Sequence, residues 1–232
     1  MIWMNKNKYY IFEINVVILN FFCLLLFGIM FGITMIINPK LLIFSMNSIN
    51  IVWFILLYML YMGLHEIFHS FAYVLYGGDF KKIVYGIKLE SGVFYCLCKQ
   101  DITRKNILNS LMFPLFYLGI ITYIVSFIFK FPYLLMLSIF NISGCIGDII
   151  MFIYFIRLDK NICFTEFDNP LRFAIKSDKD ISTISHFGLK YIERANEVER
   201  NDLKKIRISK FSYVLLILIL IWCFMYGKLT SL

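Results

Sequence analysis

The chain has 232 residues, of which 60% are hydrophobic and 16% are charged, and its formal net charge is +8. Soluble domains average roughly 45–50% apolar and about 25% charged residues, so this composition excludes an ordinary soluble globular protein. In a soluble chain the excess of basic residues would indicate a nucleic-acid partner, whereas in a membrane protein it reports the orientation of the chain. The apolar residues lie in long runs, and this distribution favours the membrane protein over the soluble chain.

Five apolar runs are long enough, or nearly so, to cross a bilayer core of about 30 Å, which takes roughly 20 helical residues. In chain order they predict membrane spans at 11–38, 50–76, 107–129, 132–156 and 211–227. The first run is longer than the apolar region of a secretory signal, so we expect a retained helix. The fifth is the shortest. The sequence therefore predicts an all-α polytopic membrane protein with about five transmembrane helices, in which residues 1–232 form a single membrane domain.

The Lys and Arg residues are concentrated in two hydrophilic segments, 77–106 with six of the 23 and 157–210 with 12. Basic residues accumulate on the cytoplasmic side of membrane proteins. We therefore expect both segments and the N-terminus in the cytoplasm, and the C-terminus outside, in a multi-pass protein of the cell membrane. The positive charge then reflects topology in the lipid bilayer, and no nucleic-acid partner is expected.

Two stretches outside the spans have patterns of their own. Within residues 83–98, β-branched and aromatic residues flank Glu90-Ser91-Gly92, which predicts a small cytoplasmic β-hairpin. Within residues 189–206, apolar residues at helical spacing among charges predict a surface helix. The six cysteines are divided between spans and cytoplasmic segments, which favours free thiols over a disulfide framework.

One motif carries chemistry, the H-E-x-x-H sequence from His65 to His69 in the second predicted span. Positions i and i+4 share a helix face, so both imidazoles can reach one Zn²⁺, and Glu66 lies close enough to exchange a proton with a water molecule. Chance would produce this motif in about one chain in a thousand of this composition. Polar residues inside a span cost at least ~2.5–3.5 kcal/mol on insertion scales and usually mark function. The alternative is a polar patch that joins helices.

A catalytic zinc site has three protein ligands and one open position, and two residues compete for the third place. Asp148 and Glu66 are the acidic residues that lie well inside the predicted spans. Asp148 and the motif both lie roughly 12–14 Å from the same membrane surface. His186 is the competing ligand, but it falls in a polar segment outside the spans, so its depth in the membrane does not match that of the motif. Asn141, two turns before Asp148, is expected to contact substrate or to form an interhelical hydrogen bond.

Two other intramembrane chemistries fit these residues less well. A serine–histidine site would need a histidine in another span, whereas the remaining histidine lies in a hydrophilic segment. An aspartyl site needs two carboxylates that share a proton, and no second Asp lies inside any predicted span. Neither chemistry explains the paired histidines, so zinc-dependent hydrolysis is favoured.

These residues resemble the DUF3267 family of zincin peptidases over about residues 60–155. The resemblance rests on a span ending in HEIFHSFAYVLYGG, on Gly92-Val93 and Tyr95 in a basic loop, on Pro114, and on N-x₆-D at Asn141 and Asp148. It implies a multi-pass bacterial membrane protein, similar in logic to the site-2 intramembrane metallopeptidases, in which zinc is held by His65, His69 and Asp148 and Glu66 is the catalytic acid and base. The site-2 group usually presents Asp followed by Gly, whereas here Gly147 precedes Asp148.

The sequence thus predicts a zinc-dependent intramembrane metallopeptidase that hydrolyses a peptide bond of a membrane protein or peptide near the cytoplasmic face. The competing prediction is a non-catalytic polytopic membrane protein, such as an immunity, scaffold or metal-handling factor, that retains a zinc site. The two predictions differ in whether function requires the carboxylate of Glu66.

Overall fold

The computed structural model describes residues 8–42, 48–88, 93–166, 171–183 and 187–195. The chain divides into two units, residues 1–201 and residues 202–232, and everything described lies in the first unit. The predicted fifth span at 211–227 lies outside the described residues.

Among the described residues, four helices are long and apolar enough to cross a membrane: Val16–Ile37, Val52–Leu75, Arg104–Phe129 and Pro132–Phe155. They correspond to the first four predicted spans. Their elements are α1 (Val16–Ile37), α2 (Ser48–Leu75), α3 (Arg104–Pro114), a π-helical stretch (Leu115–Ile121), α4 (Thr122–Phe129), α5 (Pro132–Gly144) and α6 (Ile146–Phe155). Short 3₁₀ turns follow α1 at Pro39–Leu42 and α2 at Phe80–Lys82.

Local sequence signals set the ends of these helices. The side chain of Asn15 accepts hydrogen bonds from the backbone N–H groups of Val17 at 3.0 Å and Ile18 at 3.2 Å, so it caps the start of α1. Helix α4 ends at Lys130, which adopts a left-handed backbone with φ of 56°. Pro132 then begins α5, where its missing N–H costs nothing.

Seven strands lie in the described residues: β1 (Lys8–Ile14), β2 (Ile83–Lys88), β3 (Val93–Cys98), β4 (Ile102–Thr103), β5 (Cys163–Glu166), β6 (Arg172–Ser177) and β7 (Leu189–Ala195). Five of them form an antiparallel sheet in the order β4-β5-β6-β1-β7. Strands β2 and β3 pair separately as an antiparallel hairpin within residues 83–98. Its turn residues Glu90, Ser91 and Gly92 lie outside the described part of the chain.

The prediction of an all-α fold is wrong, because the five-stranded sheet makes this a mixed α/β structure. Residues 11–14, which the sequence assigned to the first span, belong to β1 instead. Strand β1 is paired on both sides, with β6 and β7. Two of its aromatic side chains, Tyr10 and Phe12, are 1% and 2% exposed. Both side chains form part of a folded core. The apolar run that predicted the first span therefore covers parts of two elements, β1 and α1.

The surface helix expected within residues 189–206 is also contradicted over the part that is described. Residues Leu189–Ala195 form β7, which pairs with β1 from Ile14 opposite Leu189 to Tyr9 opposite Ala195. Charged side chains are common on edge strands, where they discourage further pairing. The predicted hydrophilic segment 157–210 thus supplies three strands of the sheet.

An aromatic core connects the sheet to the ends of the apolar helices. Phe12, Phe164 and Phe173 from the sheet pack against Tyr154 and Phe155 at the end of α6. Arg104 at the start of α3 donates from Nε to the carbonyl oxygen of Phe155 at 2.7 Å, so it caps the same helix. Strand β3 packs along α2 and against β5. This packing places the sheet and the hairpin beside the segment of α2 that carries the motif.

Candidate metal centre

Three predicted ligands meet at one point between the second and fourth apolar helices. The Nε2 atoms of His65 and His69, one turn apart on α2, are 3.1 Å from each other. Each Nε2 atom lies 3.5 Å from Oδ2 of Asp148, which is in the first turn of α6. The histidines are buried, and the side chain of Asp148 is 17% exposed. The H-E-x-x-H spacing and the aspartate therefore produce a compact cluster of potential ligands.

The geometry of this cluster fits a zinc ion. Bonds of 2.0–2.1 Å in a tetrahedral site separate neighbouring ligand atoms by about 3.3–3.4 Å. The three separations of 3.1, 3.5 and 3.5 Å lie on either side of that value. Two imidazoles and one carboxylate also form a donor set that is typical of catalytic zinc, with a fourth position left open.

Asn141 of α5 orients the first histidine. Its Oδ1 atom is 2.8 Å from Nδ1 of His65, and its Nδ2 donates to the carbonyl oxygen of Pro114 at 3.3 Å. An amide oxygen can only accept, so Nδ1 of His65 carries the proton and the lone pair of Nε2 points at the cluster. Asn141 is 1% exposed. Its predicted contact with substrate stays a prediction, whereas its contact with His65 is a feature of the fold.

The second histidine is oriented by a backbone carbonyl of α3. Nδ1 of His69 is 3.0 Å from the carbonyl oxygen of Ser110, and Oγ of Ser110 donates to the carbonyl oxygen of His69 at 3.3 Å. In an α-helix the carbonyl of residue 110 would accept from the N–H of residue 114, but that residue is Pro114 and has no N–H. The proline thus leaves this carbonyl without its helical partner, and His69 donates to it.

Cys145, at the junction of α5 and α6, is a nearby donor that the sequence reasoning missed. The ligand atoms of His65, Cys145 and Asp148 all lie within 4.8 Å of one another. However, Sγ of Cys145 is 4.0 Å from Nδ1 of His65, on the side of the ring that faces Asn141. The Nε2 atom faces Asp148 and His69 instead, so we favour the two-histidine set. The sequence did contain a signal for Cys145: it lies three residues before Asp148, and residues three apart are neighbours on the surface of a helix.

The cluster opens into a cavity of about 280 Å³, and the carboxylate of Glu66 lines the same space. The other wall is formed by β3 and by the ends of the sheet strands, including Phe94, Cys96 and Phe164. The Glu66 carboxylate interacts with the backbone amide of Cys96 in β3. A peptide carbonyl in this cavity would therefore lie between the histidines and the hairpin.

Glu166, the last residue of β5, is a third carboxylate in the cavity lining, after Glu66 and Asp148, and the sequence reasoning missed it. Its Oε1 accepts from the hydroxyl of Tyr73 at 2.9 Å, and its Oε2 accepts from the backbone N–H of Cys98. Burial raises the pKa of Glu166 to about 7. No local pattern could have found it, because β5 reaches the cavity only through long-range strand pairing.

Neither thiol of the Cys96 and Cys98 pair belongs to the group of potential ligands found among the described residues. The C-x-C pair at Cys96 and Cys98 consists of free thiols, as do the other cysteines in the described residues. Burial raises the pKa of Cys98 to about 11 and raises the pKa of Cys96 as well, so both side chains are neutral thiols near pH 7. His186, the competing third ligand, lies outside the described residues.

Comparison with known proteins supports the interpretation of this site. Residues 55–163 match the model of the family DUF3267, whose description is "Putative zincin peptidase". The match confirms the resemblance seen in the sequence, and it spans His65, Asn141 and Asp148. Glu166 lies just beyond it. No curated protein and no solved structure matches the chain.

Proposed function

We propose, from the match of residues 55–163 to this zincin peptidase family, that the chain is a zinc-dependent intramembrane metallopeptidase. Its substrate would be a peptide bond in a membrane protein or peptide. The observation that carries the proposal is the convergence of His65 Nε2, His69 Nε2 and Asp148 Oδ2 within 3.5 Å, beside the carboxylate of Glu66 in one cavity.

The residues of the cavity have separable roles in this proposal. His65, His69 and Asp148 would hold Zn²⁺, which when bound acts as a Lewis acid and lowers the pKa of water towards 7. Glu66 takes the proton from the attacking water and later delivers it to the leaving amine. Asn141 and the carbonyl of Ser110 keep both imidazoles in the tautomer that exposes Nε2.

The proposed reaction takes place near the cytoplasmic face. Helix α2 ends at Leu75, which is about 9–15 Å along the helix from the two histidines. The basic segments 77–106 and 157–210, which supply the hairpin and most of the sheet, continue from the ends of α2 and α6. The positive-inside rule assigns such segments to the cytoplasm. Metal analysis of the purified protein tests the site: about one zinc per chain is expected, and chain free of zinc after purification without chelators would contradict it.

Replacing Asn141 by Ala is expected to weaken zinc binding by about 10- to 100-fold, the usual effect of losing a group that orients a metal-binding histidine. The reason is that Nδ1 of His65 loses its 2.8 Å acceptor and the ring can rotate. Competition with a chelator measures the affinity. Ser143→Ala is the matched control, since Ser143 is buried on the same helix and bonds to Ile139. Equal affinities in the two variants would rule out the positioning role.

Replacing Pro114 by Ala is expected to weaken zinc binding by about fivefold to tenfold, the equivalent of one hydrogen bond. The new N–H at position 114 would compete with Nδ1 of His69 for the carbonyl of Ser110. The optical spectrum of the Co²⁺-substituted protein reports the ligand geometry and should change with the affinity. Pro132→Ala is the control, because that proline begins α5 and opposes no histidine. An unchanged spectrum and affinity in Pro114→Ala would contradict this account.

A further inference from the structure

Glu166 differs from the other carboxylates of the cavity because the proposed metal site makes no use of it. Strand β5 presents it to the space that also contains His69, Glu66 and Asp148. Its two oxygens are fixed by donors from two different elements, the hydroxyl of Tyr73 on α2 and the N–H of Cys98 on β3. The carboxylate therefore has a defined position in the cavity wall.

Both of these donors are neutral, so neither of them balances the negative charge that Glu166 carries when it is ionised. None of the ion pairs formed by the described residues involves Glu166. Arg172, the cation in the cavity wall, pairs with Glu13 at 3.3 Å. A buried carboxylate without a cation is costly. A bound Zn²⁺ would balance the charges of Asp148 and Glu66, and the charge of Glu166 would remain.

The position of Glu166 relates this unbalanced charge to the substrate. Tyr73 lies four residues beyond His69, which is about 6 Å along α2. An extended peptide advances about 3.3 Å per residue. A group on the residue next to the cleaved bond would therefore lie beside Glu166 when the carbonyl of that bond lies at the histidines.

We infer that Glu166 forms a subsite for an ammonium group of the substrate, adjacent to the cleaved bond. The ammonium group comes either from a lysine side chain or from the N-terminus of a peptide. This inference rests on the proposed function, because it takes the histidine cluster as the place where the carbonyl binds. It assigns to the peptidase a preference for a cationic residue.

Amino-acid hydroxamates, which chelate zinc, test the subsite without a known substrate. Three probes are compared on the zinc-loaded protein in detergent: Nα-acetyl-lysine hydroxamate, Nα-acetyl-norleucine hydroxamate and norleucine hydroxamate with a free α-amine. Calorimetry gives each Kd at a pH just above the Glu166 pKa of about 7. We expect one of the two cationic probes to bind about tenfold more tightly than the neutral one. Which of them does so distinguishes the side chain from the N-terminus.

The variant Glu166→Gln should reduce this ratio to about one. Asp159→Asn, which removes a carboxylate from the ion pair with Lys179 outside the cavity lining, should preserve it. A ratio near one in the wild-type protein, or a preserved ratio in Glu166→Gln, would overturn the subsite, and the wild-type comparison does not depend on how the variant folds. If none of the probes binds in a zinc-dependent manner, the metal site itself is wrong, and the subsite fails with it.

Discussion

Glu66→Gln is expected to abolish hydrolysis while the protein still binds zinc. Glutamine has nearly the same shape as glutamate and leaves the histidine cluster intact, but it cannot accept a proton from water. General acid–base catalysis contributes about 10²–10⁴-fold to a rate, so turnover should fall by at least about 100-fold. A proteomic comparison of cells carrying the wild type or the variant should reveal a membrane protein or peptide that accumulates uncut.

The matched control is Glu13→Gln, since Glu13 pairs with Arg172 and is not part of the histidine cluster. Zinc content should be the same in the wild type and in both variants. Retained cellular function in Glu66→Gln would contradict the peptidase proposal. It would support the alternative in which the chain is a non-catalytic immunity, scaffold or metal-handling protein with a zinc site.

Asp148→Ala is expected to remove zinc from the purified protein. In the proposed site the carboxylate supplies one of three ligands, and it faces both imidazoles at 3.5 Å. Loss of a group that merely orients a ligand costs about 10- to 100-fold in affinity, so loss of the ligand itself should cost more than about 100-fold. Elemental analysis and chelator competition measure the effect, with Ser143→Ala as a buried control from the adjoining helix.

The variant Cys145→Ser separates the two possible donor sets. Only the set that contains Cys145 Sγ should be disturbed by exchanging sulfur for oxygen. Both sets contain Asp148, so lost zinc in Cys145→Ser together with stoichiometric zinc in His69→Ala would show that we have chosen the wrong set. Stoichiometric zinc in Asp148→Ala would contradict both sets and indicate another ligand, with His186 as the remaining histidine.

The proposed ligands were predictable because their signals are local or follow from the scarcity of acidic residues in the apolar spans. The i and i+4 spacing of His65 and His69 fixes their common face on any helix. Asp148 could be predicted because acidic residues are rare inside apolar spans. Its carboxylate lies 3.5 Å from both imidazoles. The matching depth of Asp148 and the motif in the membrane could not by itself predict this distance.

The sheet was not predictable in the same way, because its pairings join distant parts of the chain. Strand β1 lies between β6 and β7, and only Glu13, Ile14 and Asn15 separate its aromatic residues from the apolar run of α1. The charges of β7 have helical spacing but lie on an edge strand. Glu166 depends on this sheet for its position, so the sequence could not associate it with the cavity.

X-ray absorption at the zinc K-edge of the purified, zinc-loaded protein tests the proposed centre most directly. The two-histidine set predicts nitrogen and oxygen neighbours at about 2.0–2.1 Å, with the outer-shell scattering of two imidazoles. The set that includes Cys145 would add a sulfur neighbour at about 2.3 Å. A spectrum with two imidazoles and no sulfur is the result we expect, and a sulfur shell, or protein that binds no zinc, would contradict the site.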